Sequence, residues 1–422
     1  MTNSGALQRR LGLGDAVAIG LGSMIGAGVF AAFAPAAAAA GSGLLIGLAL
    51  AAVVGYCNAT SSAQLAAQYP TSGGTYVYGR EQLGPWAGFM AGWCFVIGKT
   101  ASCAAMALTF AAYAAPAGWE RPVAALAVAA LVAVNYFGVT RTAGLTKIIV
   151  SIVLMALALV VVAGMVSGEA DASRLTGDGA PSGFYGILQS AGLLFFAFAG
   201  YARIATMGEE VRDPSRTIPR AILVALFGAL AVYAVIALVA LSTLGASHLA
   251  TTTTPLADVA AAGGWEWTSV VVRIGAAAAA LGALLALIAG IGRTSLAMAR
   301  NRDLPAWLSA VHPVHSVPYR AELVLGAVVI VLVLTMDLRG AIGFSSFGVL
   351  LYYFVANVSA YTQGREARMY PTIVQIIGAL LCLVLVATLP IASIIGGVIL
   401  VAAGILYRVV LVRRRGSEQN GS

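Results

Sequence analysis

Hydrophobic stretches of roughly 20 residues recur along the whole chain, separated by short polar segments. About twelve of them begin near Gly14, Gly43, Pro85, Arg121, Leu145, Gly183, Ile218, Trp267, Ala321, Arg339, Tyr370 and Pro390. Each is long enough to cross a hydrocarbon core of about 30 Å as a helix rising about 1.5 Å per residue. The pattern therefore predicts an all-α membrane protein with about 12 transmembrane helices. The connections are short, as in a compact bundle. The longer ones run from Tyr69 to Gly84, Glu169 to Pro181, Glu209 to Pro219, Ala246 to Glu266 and Arg300 to Arg320. No low-complexity or linker segment separates them, so residues 1–422 read as one membrane domain.

The first span departs from this pattern. Gly20-Leu21-Gly22-Ser23-Met24-Ile25-Gly26-Ala27-Gly28-Val29-Phe30 places four glycines inside it. Glycine is the poorest helix former after proline, and a bilayer holds no water for backbone groups freed by a break. Such a segment is tolerated where its open backbone faces protein, a cavity or a ligand. Glycines that only let helices pack closely are the plainer alternative. The sixth span carries a second candidate interruption, Phe195-Phe196-Ala197-Phe198-Ala199-Gly200-Tyr201, and charge returns soon after at Glu209-Glu210. Interruptions five spans apart fit a five-plus-five inverted repeat, the arrangement that binds substrate near the bilayer midplane in secondary transporters.

Composition agrees. Hydrophobic residues make up 60% of the chain and charged ones 9%, with a mean hydropathy of +0.92. Soluble domains carry about a quarter charged residues. The net charge of +8 is a topology signal, and no nucleic-acid partner is implied. With the N-terminus inside and twelve spans, most of the 24 Lys and Arg fall in cytoplasmic segments, the positive-inside pattern. Arg80, Arg212, Arg216, Arg220, Arg300, Arg320 and Arg413-Arg414-Arg415 are among them. The expectation is a multi-pass protein of the cell membrane, surrounded by lipid, with both termini cytoplasmic and no soluble domain at either end. The first span is too long and too glycine-broken for a cleavable signal peptide. Cys57, Cys94, Cys103 and Cys382 lie inside spans, which argues against disulfides. The sequons at Asn58 and Asn357 also fall inside spans, so glycosylation is not implied.

No nucleophile–base pair, phosphate loop or dinucleotide fingerprint stands in the chain, because the glycines near Gly20 follow no strand. The protein reads as no enzyme, with no cofactor. His312 and His315 lack the carboxylates or cysteines that would complete a metal site. The informative charge is Lys99, about 14 residues into the third span, hence roughly 20 Å along a core about 30 Å thick. It is either a structural lysine bonded to backbone carbonyls or a coupling charge that replaces a bound cation and exchanges a proton. Arg273, near an outer helix end, carries a weaker form of the same argument. Glu209, Glu210, Arg293 and Arg300 read as an inner structural salt-bridge network.

Gly22-Ser23-Met24-Ile25-Gly26-Ala27-Gly28-Val29-Phe30 resembles the first-helix signature of the amino acid–polyamine–organocation (APC) superfamily. Pro70-Thr71-Ser72-Gly73-Gly74-Thr75-Tyr76 resembles its loop after helix two. Phe195 to Tyr201, then Glu209-Glu210-Val211-Arg212-Asp213-Pro214 and Ile218-Pro219-Arg220, resemble its sixth helix and the following loop. Arg293 and Met298-Ala299-Arg300-Asn301-Arg302-Asp303-Leu304-Pro305 resemble the end of its eighth. The motifs occur in family order from about Leu13 to Leu411, and bacterial amino acid permeases are the nearest in character.

The resemblance implies a leucine-transporter-like fold: a five-plus-five inverted-repeat core with helices 1 and 6 broken, over about residues 14–361. Two additional C-terminal helices would follow at about 370–412. It implies alternating access for amino acids; a transporter of another small organic cation or polyamine is the alternative. The amides of Gly26, Ala27 and Gly28, with Met24 and Ile25 leading in, would face an α-carboxylate. The carbonyls of Phe196, Ala197 and Ala199, beside Phe198, would face an α-ammonium together with that of Met24. Many relatives carry Ser or Thr where Ala27 stands, and an acid where Ala202 stands, before Arg203; the second departure weighs against dibasic substrates. Sodium-coupled transporters of this architecture take oxygen ligands from the first and eighth helices, and Ile274 to Gly292 offers no Ser, Thr, Asn, Asp or Glu. A lysine that replaces sodium in proton-coupled relatives falls near Val153, and Lys147 sits too early, at the inner membrane edge.

Overall fold

The computed structural model describes residues 9–26, 28–71, 73–138, 143–176 and 183–420. They form a bundle of helices: α1 (Leu13–Ile25), α2 (Gly28–Ala31), α3 (Phe33–Ala40), α4 (Leu44–Gln68), α5 (Thr75–Leu83), α6 (Pro85–Ala114), α7 (Glu120–Tyr136) and α8 (Ala143–Val166). After these come α9 (Gly183–Phe198), α10 (Ala202–Ala205), α11 (Pro214–Thr251), α12 (Pro255–Ala262), α13 (Glu266–Arg300), α14 (Tyr319–Thr335), α15 (Leu338–Tyr361), α16 (Thr372–Thr388) and α17 (Ile391–Asn420). Among the described residues, nine helical stretches are long and apolar enough to cross a membrane. Three 17-residue helices, α7, α14 and α16, occupy the remaining predicted spans. At about 26 Å they are near the lower limit for crossing. Many large apolar side chains on the outside of the bundle are exposed, including Ile148, Met155, Val162 and Met165 of α8. That is the surface a lipid-facing helix presents.

Where the chain departs from straight helices, a cause is visible. α11 bends at Gly245, whose φ of 73° favours glycine. α13 and α15 both pack on α6, and α1 packs on α8 and α11, so α6 and α1 form the centre. Just before α1, Leu11 pairs with the segment after α10: its amide donates to Glu210 O at 3.0 Å and its carbonyl accepts from Arg212 N at 2.9 Å.

Two polar networks close the interior. Asn357 of α15 donates to Asn58 Oδ1 of α4 at 2.6 Å and accepts from Ser61 Oγ at 2.7 Å, and Cys382 of α16 donates to Asn58 Oδ1 at 3.4 Å. The two sequon asparagines are fully buried and bonded to each other, and all four cysteines are buried free thiols. The second network centres on Asp303, also fully buried, just past α13. Its carboxylate pairs with Arg408 of α17, with Arg80 of α5 at 3.3 Å, and accepts from Tyr76 Oη at 2.8 Å. The Arg408 guanidinium also lies 5.2 Å from the Phe89 ring centre. Burial and the adjacent carboxylate push the Tyr76 phenol up to about 12.

Removing one partner of a buried ion pair strands the other charge, at about 3–5 kcal/mol. Asp303→Ala is therefore expected to lower thermal stability in detergent sharply, whereas Arg80→Ala, at the half-exposed edge, costs far less. Tyr76 keeps its proton in the fold after an unfolded tyrosine, near 10, has lost it. Stability should accordingly fall as pH rises from about 10 to about 12, and Tyr76→Phe should remove that component of an alkaline unfolding curve.

Candidate functional site

The two interruptions predicted from sequence meet in the middle of the bundle. α1 ends at Ile25, and Gly26 leaves the helix with φ −38° and ψ −102°. The chain resumes as α2, then bends at Ala32 into α3. The second interruption is gentler than a gap between half-helices. α9 tightens into a 3₁₀ turn at Ala199–Tyr201 and continues as the single turn α10. With one glycine and no proline there, nothing forces the backbone open, but a 3₁₀ turn tilts its carbonyls outward.

The segments touch backbone to backbone. A Cβ on Gly28 would lie 2.7 Å from Ala197 Cα, and one on Gly200 would collide with the Ser23 carbonyl. A Cβ on Gly26 would stand 3.0 Å from Gly22 O and 3.1 Å from Ala283 Cβ. Beside this contact lies a cavity of about 580 Å³ lined from α1, α5, α6, α9, α10 and α13. Gly22, Ser23, Phe196, Ala199, Gly200 and Lys99 line it, and its wall runs on past Thr206, Arg293 and Glu210. The volume and the mostly apolar wall suit a small organic molecule.

Lys99 is only 7% exposed, and its ammonium donates to Ala199 O at 3.3 Å. Among the described residues it has no ion-pair partner. One helical turn on, Ser102 bonds Ser345 of α15 at 2.6 Å, anchoring α6 at this level. Tyr233 of α11, which sequence reasoning did not single out, reaches between the interruptions. Its hydroxyl lies 2.6 Å from Met24 O and 3.0 Å from Ala197 O, and its ring meets Phe198 edge-on at 5.1 Å. Three of the four carbonyls assigned to an ammonium group thus already face a side-chain donor, Met24 O and Ala197 O sharing the Tyr233 hydroxyl and Ala199 O bonded by Lys99.

The other predicted residues divide. Ile25 and Gly26 line a separate crevice of about 10 Å³, together with Gly22 and Val153, so Val153 does face the first interruption. Ala27 lies outside the described residues. Lys147 pairs with Asp15 of α1 at 2.6 Å, a bond between half-exposed groups at the helix ends. Arg273 donates to Tyr113 O at 3.0 Å and ties α13 to α6. Arg293 and Glu210 both line the cavity without an ion pair between them. Arg203, noted in the sequence beside Ala202, stands on the cavity wall, and one further group escaped the sequence reading: Glu322, buried on α14. A glutamate in the first turn of a helix looks like an ordinary N-terminal acid, so its burial carries no sequence signal.

Residues 15–416 match the amino acid permease family. An uncharacterised transporter of Mycobacterium tuberculosis is 58% identical over 418 residues, covering 98% of this chain and 94% of its own. A branched-chain amino acid permease of Bacillus subtilis is 27% identical over 345 residues, 76% of this chain and 73% of its own. A chloroplastic cationic amino acid transporter of Arabidopsis thaliana is 28% identical over 379 residues, 83% of this chain and 65% of its own. The chain belongs to the amino acid permease family of the APC superfamily; it is a multi-pass membrane transporter and no enzyme.

Adding a side chain where backbones touch should be costly. Gly200→Val is expected to destabilise the protein by at least the ~1–3 kcal/mol of an overpacked core, while Gly290→Val, with open space at its Cβ, should leave the melting temperature nearly unchanged. Tyr233→Phe removes the one hydroxyl hydrogen that the Met24 and Ala197 carbonyls share, an expected loss of about 1–3 kcal/mol in denaturation of the purified protein.

Proposed function

We propose that this permease moves amino acids across the cell membrane by alternating access, without sodium, in a proton-linked or exchange mode. The observation that carries the reading is the cavity beside the meeting point of two interrupted helices, with a buried ammonium at its head. The proposed architecture has twelve spans, both termini cytoplasmic, an inverted-repeat core at about 14–361 and an added pair at about 370–412. In that orientation the cavity wall that carries Thr206, Glu210 and Arg293 belongs to the cytoplasmic half.

The amides of Gly26, Ala27 and Gly28 would receive the substrate carboxylate at the start of the outer half-helix. Met24 and Ile25 set the backbone that leads there. The carbonyls of Met24, Phe196, Ala197 and Ala199 would receive the α-ammonium, with Phe198 holding Tyr233 in place. Lys99 is the coupling candidate. Its ammonium occupies Ala199 O, an acceptor the substrate amine also needs, so binding would displace one cation by another. The related permease and transporter named above act on branched-chain and cationic amino acids by their names. Lys99, Arg203 and Arg293 on the cavity wall, against Glu210, support a zwitterion over a dibasic amino acid or polyamine.

Purified protein in liposomes, screened with labelled amino acids with and without a pH gradient, tests the reading. Uptake of at least one amino acid should persist when sodium is replaced at constant ionic strength; a strict, saturable sodium requirement would overturn the ion assignment. Gly26→Val should insert normally and bind no substrate. Lys99→Met, which keeps much of the volume, should alter the pH dependence of transport more than binding, and Lys99→Arg should not restore it, because a guanidinium stays protonated. An unchanged rate and pH profile in Lys99→Met would make the lysine structural.

A further inference from the structure

One buried acid has no part in the site just described. Glu322 lies in the first turn of α14, 2% exposed, and its Oε2 has no hydrogen-bond partner among the described residues. No ion pair reaches it there either. The facing helix is notched to admit the carboxyl: a Cβ on Gly292 of α13 would stand 2.9 Å from Glu322 Cγ and 3.1 Å from its Oε1. The next residue along α13 is Arg293, which lines the cavity. An orphaned carboxyl therefore sits directly behind the cavity wall.

On the other side, one turn back along α14, Tyr319 joins a cluster of rings. Tyr136 of α7 lies 5.1 Å from His312 and 6.1 Å from Tyr319, and the His312 and His315 rings stack at 4.6 Å. His312 Nδ1 accepts from the amides of Val314 and His315, which leaves Nε2 to carry a proton. Both imidazoles are half-buried in the loop before α14. Among the described residues, the other elements packed on α14 are α7, α6, α13 and the Ala306–Ser309 turn. α7 has Glu120 and Arg121 at its far end and Asn135 and Tyr136 here. α6 carries Cys94, Lys99, Cys103 and Tyr113 as its titratable groups, and the Ala306–Ser309 turn has none. Of the other charges on α13, Glu266 and Arg273 lie toward the far end and Arg300 ends the helix in an exposed position. Arg320 turns outward to Tyr319 Oη and Trp307 O.

We propose that Glu322 is a proton-binding site that couples transport to the proton gradient, loaded from the cytoplasm past the His312–Tyr319 cluster and answered by Arg293 at the cavity wall. The proposal rests on the permease reading and deepens it. A buried carboxylate is tolerated only when protonated or paired. With Arg293 turned into the cavity, Oε2 takes a proton and the group is a neutral acid. When Arg293 turns back, the O–H bond breaks, the proton returns toward the imidazoles, and the carboxylate pairs with the guanidinium. What occupies the cavity sets where Arg293 points, and so sets whether the proton is held.

The test uses the full chain in liposomes with whichever labelled amino acid the parent transports. Two readouts are compared: counterflow at equal pH, and accumulation driven by an outside-acid gradient of about one unit, which supports up to about tenfold accumulation for one proton per substrate. Glu322→Gln should keep counterflow and lose accumulation. Accumulation by Glu322→Gln equal to the parent's, or a parent that accumulates nothing under the gradient while counterflow proceeds, would overturn the proposal. Should Glu322→Gln lose counterflow too, Glu322→Asp decides: a displaced pH midpoint for accumulation supports the site, and an unchanged one overturns it. A parent that shows no counterflow of any amino acid would overturn the permease reading and this proposal with it.

Discussion

The architecture depends on one contact, where the backbones of two interrupted helices touch with no side chain between them. Gly28 against Ala197 and Gly200 against Ser23 permit an approach that any Cβ would prevent. In a bilayer, backbone groups released from a helix must find partners within the protein. The touching segments supply that protection: Tyr233 bonds carbonyls from both, and Lys99 bonds a third. The interruption, the close approach and the cavity beside it are three aspects of one constraint. None of them survives without the small residues.

Buried charge is handled in three ways. Asp303 is saturated by Arg408, Arg80 and Tyr76, and the result is a rigid tie between α5, the end of α13 and α17. Lys99 rests on a single carbonyl at the edge of the cavity. Glu322 retains an oxygen with no partner among the described residues. The three differ in the bonding capacity left over, from a saturated carboxylate to one with an oxygen unpartnered among the described residues.

The sequence made some of this legible and not the rest. Hydrophobic run lengths located the spans, since a helix must cover a fixed hydrocarbon thickness, and the four glycines from Gly20 to Gly28 located the first interruption because no other residue type explains them. The second was harder to read. Its residues are good enough helix formers that the chain only tightens into a 3₁₀ turn. Lys99 was conspicuous as a charge amid apolar residues, and it does line the cavity. Tyr233 was invisible, because an aromatic residue in an apolar span looks like any other core ring until its partners are known. Glu322 was hidden by its position near a helix start, where acids are common and usually wet. Pairings across the bundle, such as Asn58 with Asn357, lie 299 positions apart and leave no trace in local pattern.

The Tyr233 hydroxyl has one hydrogen and faces two oxygens. It stands 2.6 Å from one interrupted segment and 3.0 Å from the other, yet at any instant it serves only one of them well. Any change in the spacing of the two segments shifts that single hydrogen toward one carbonyl or the other, so the phenol registers their separation.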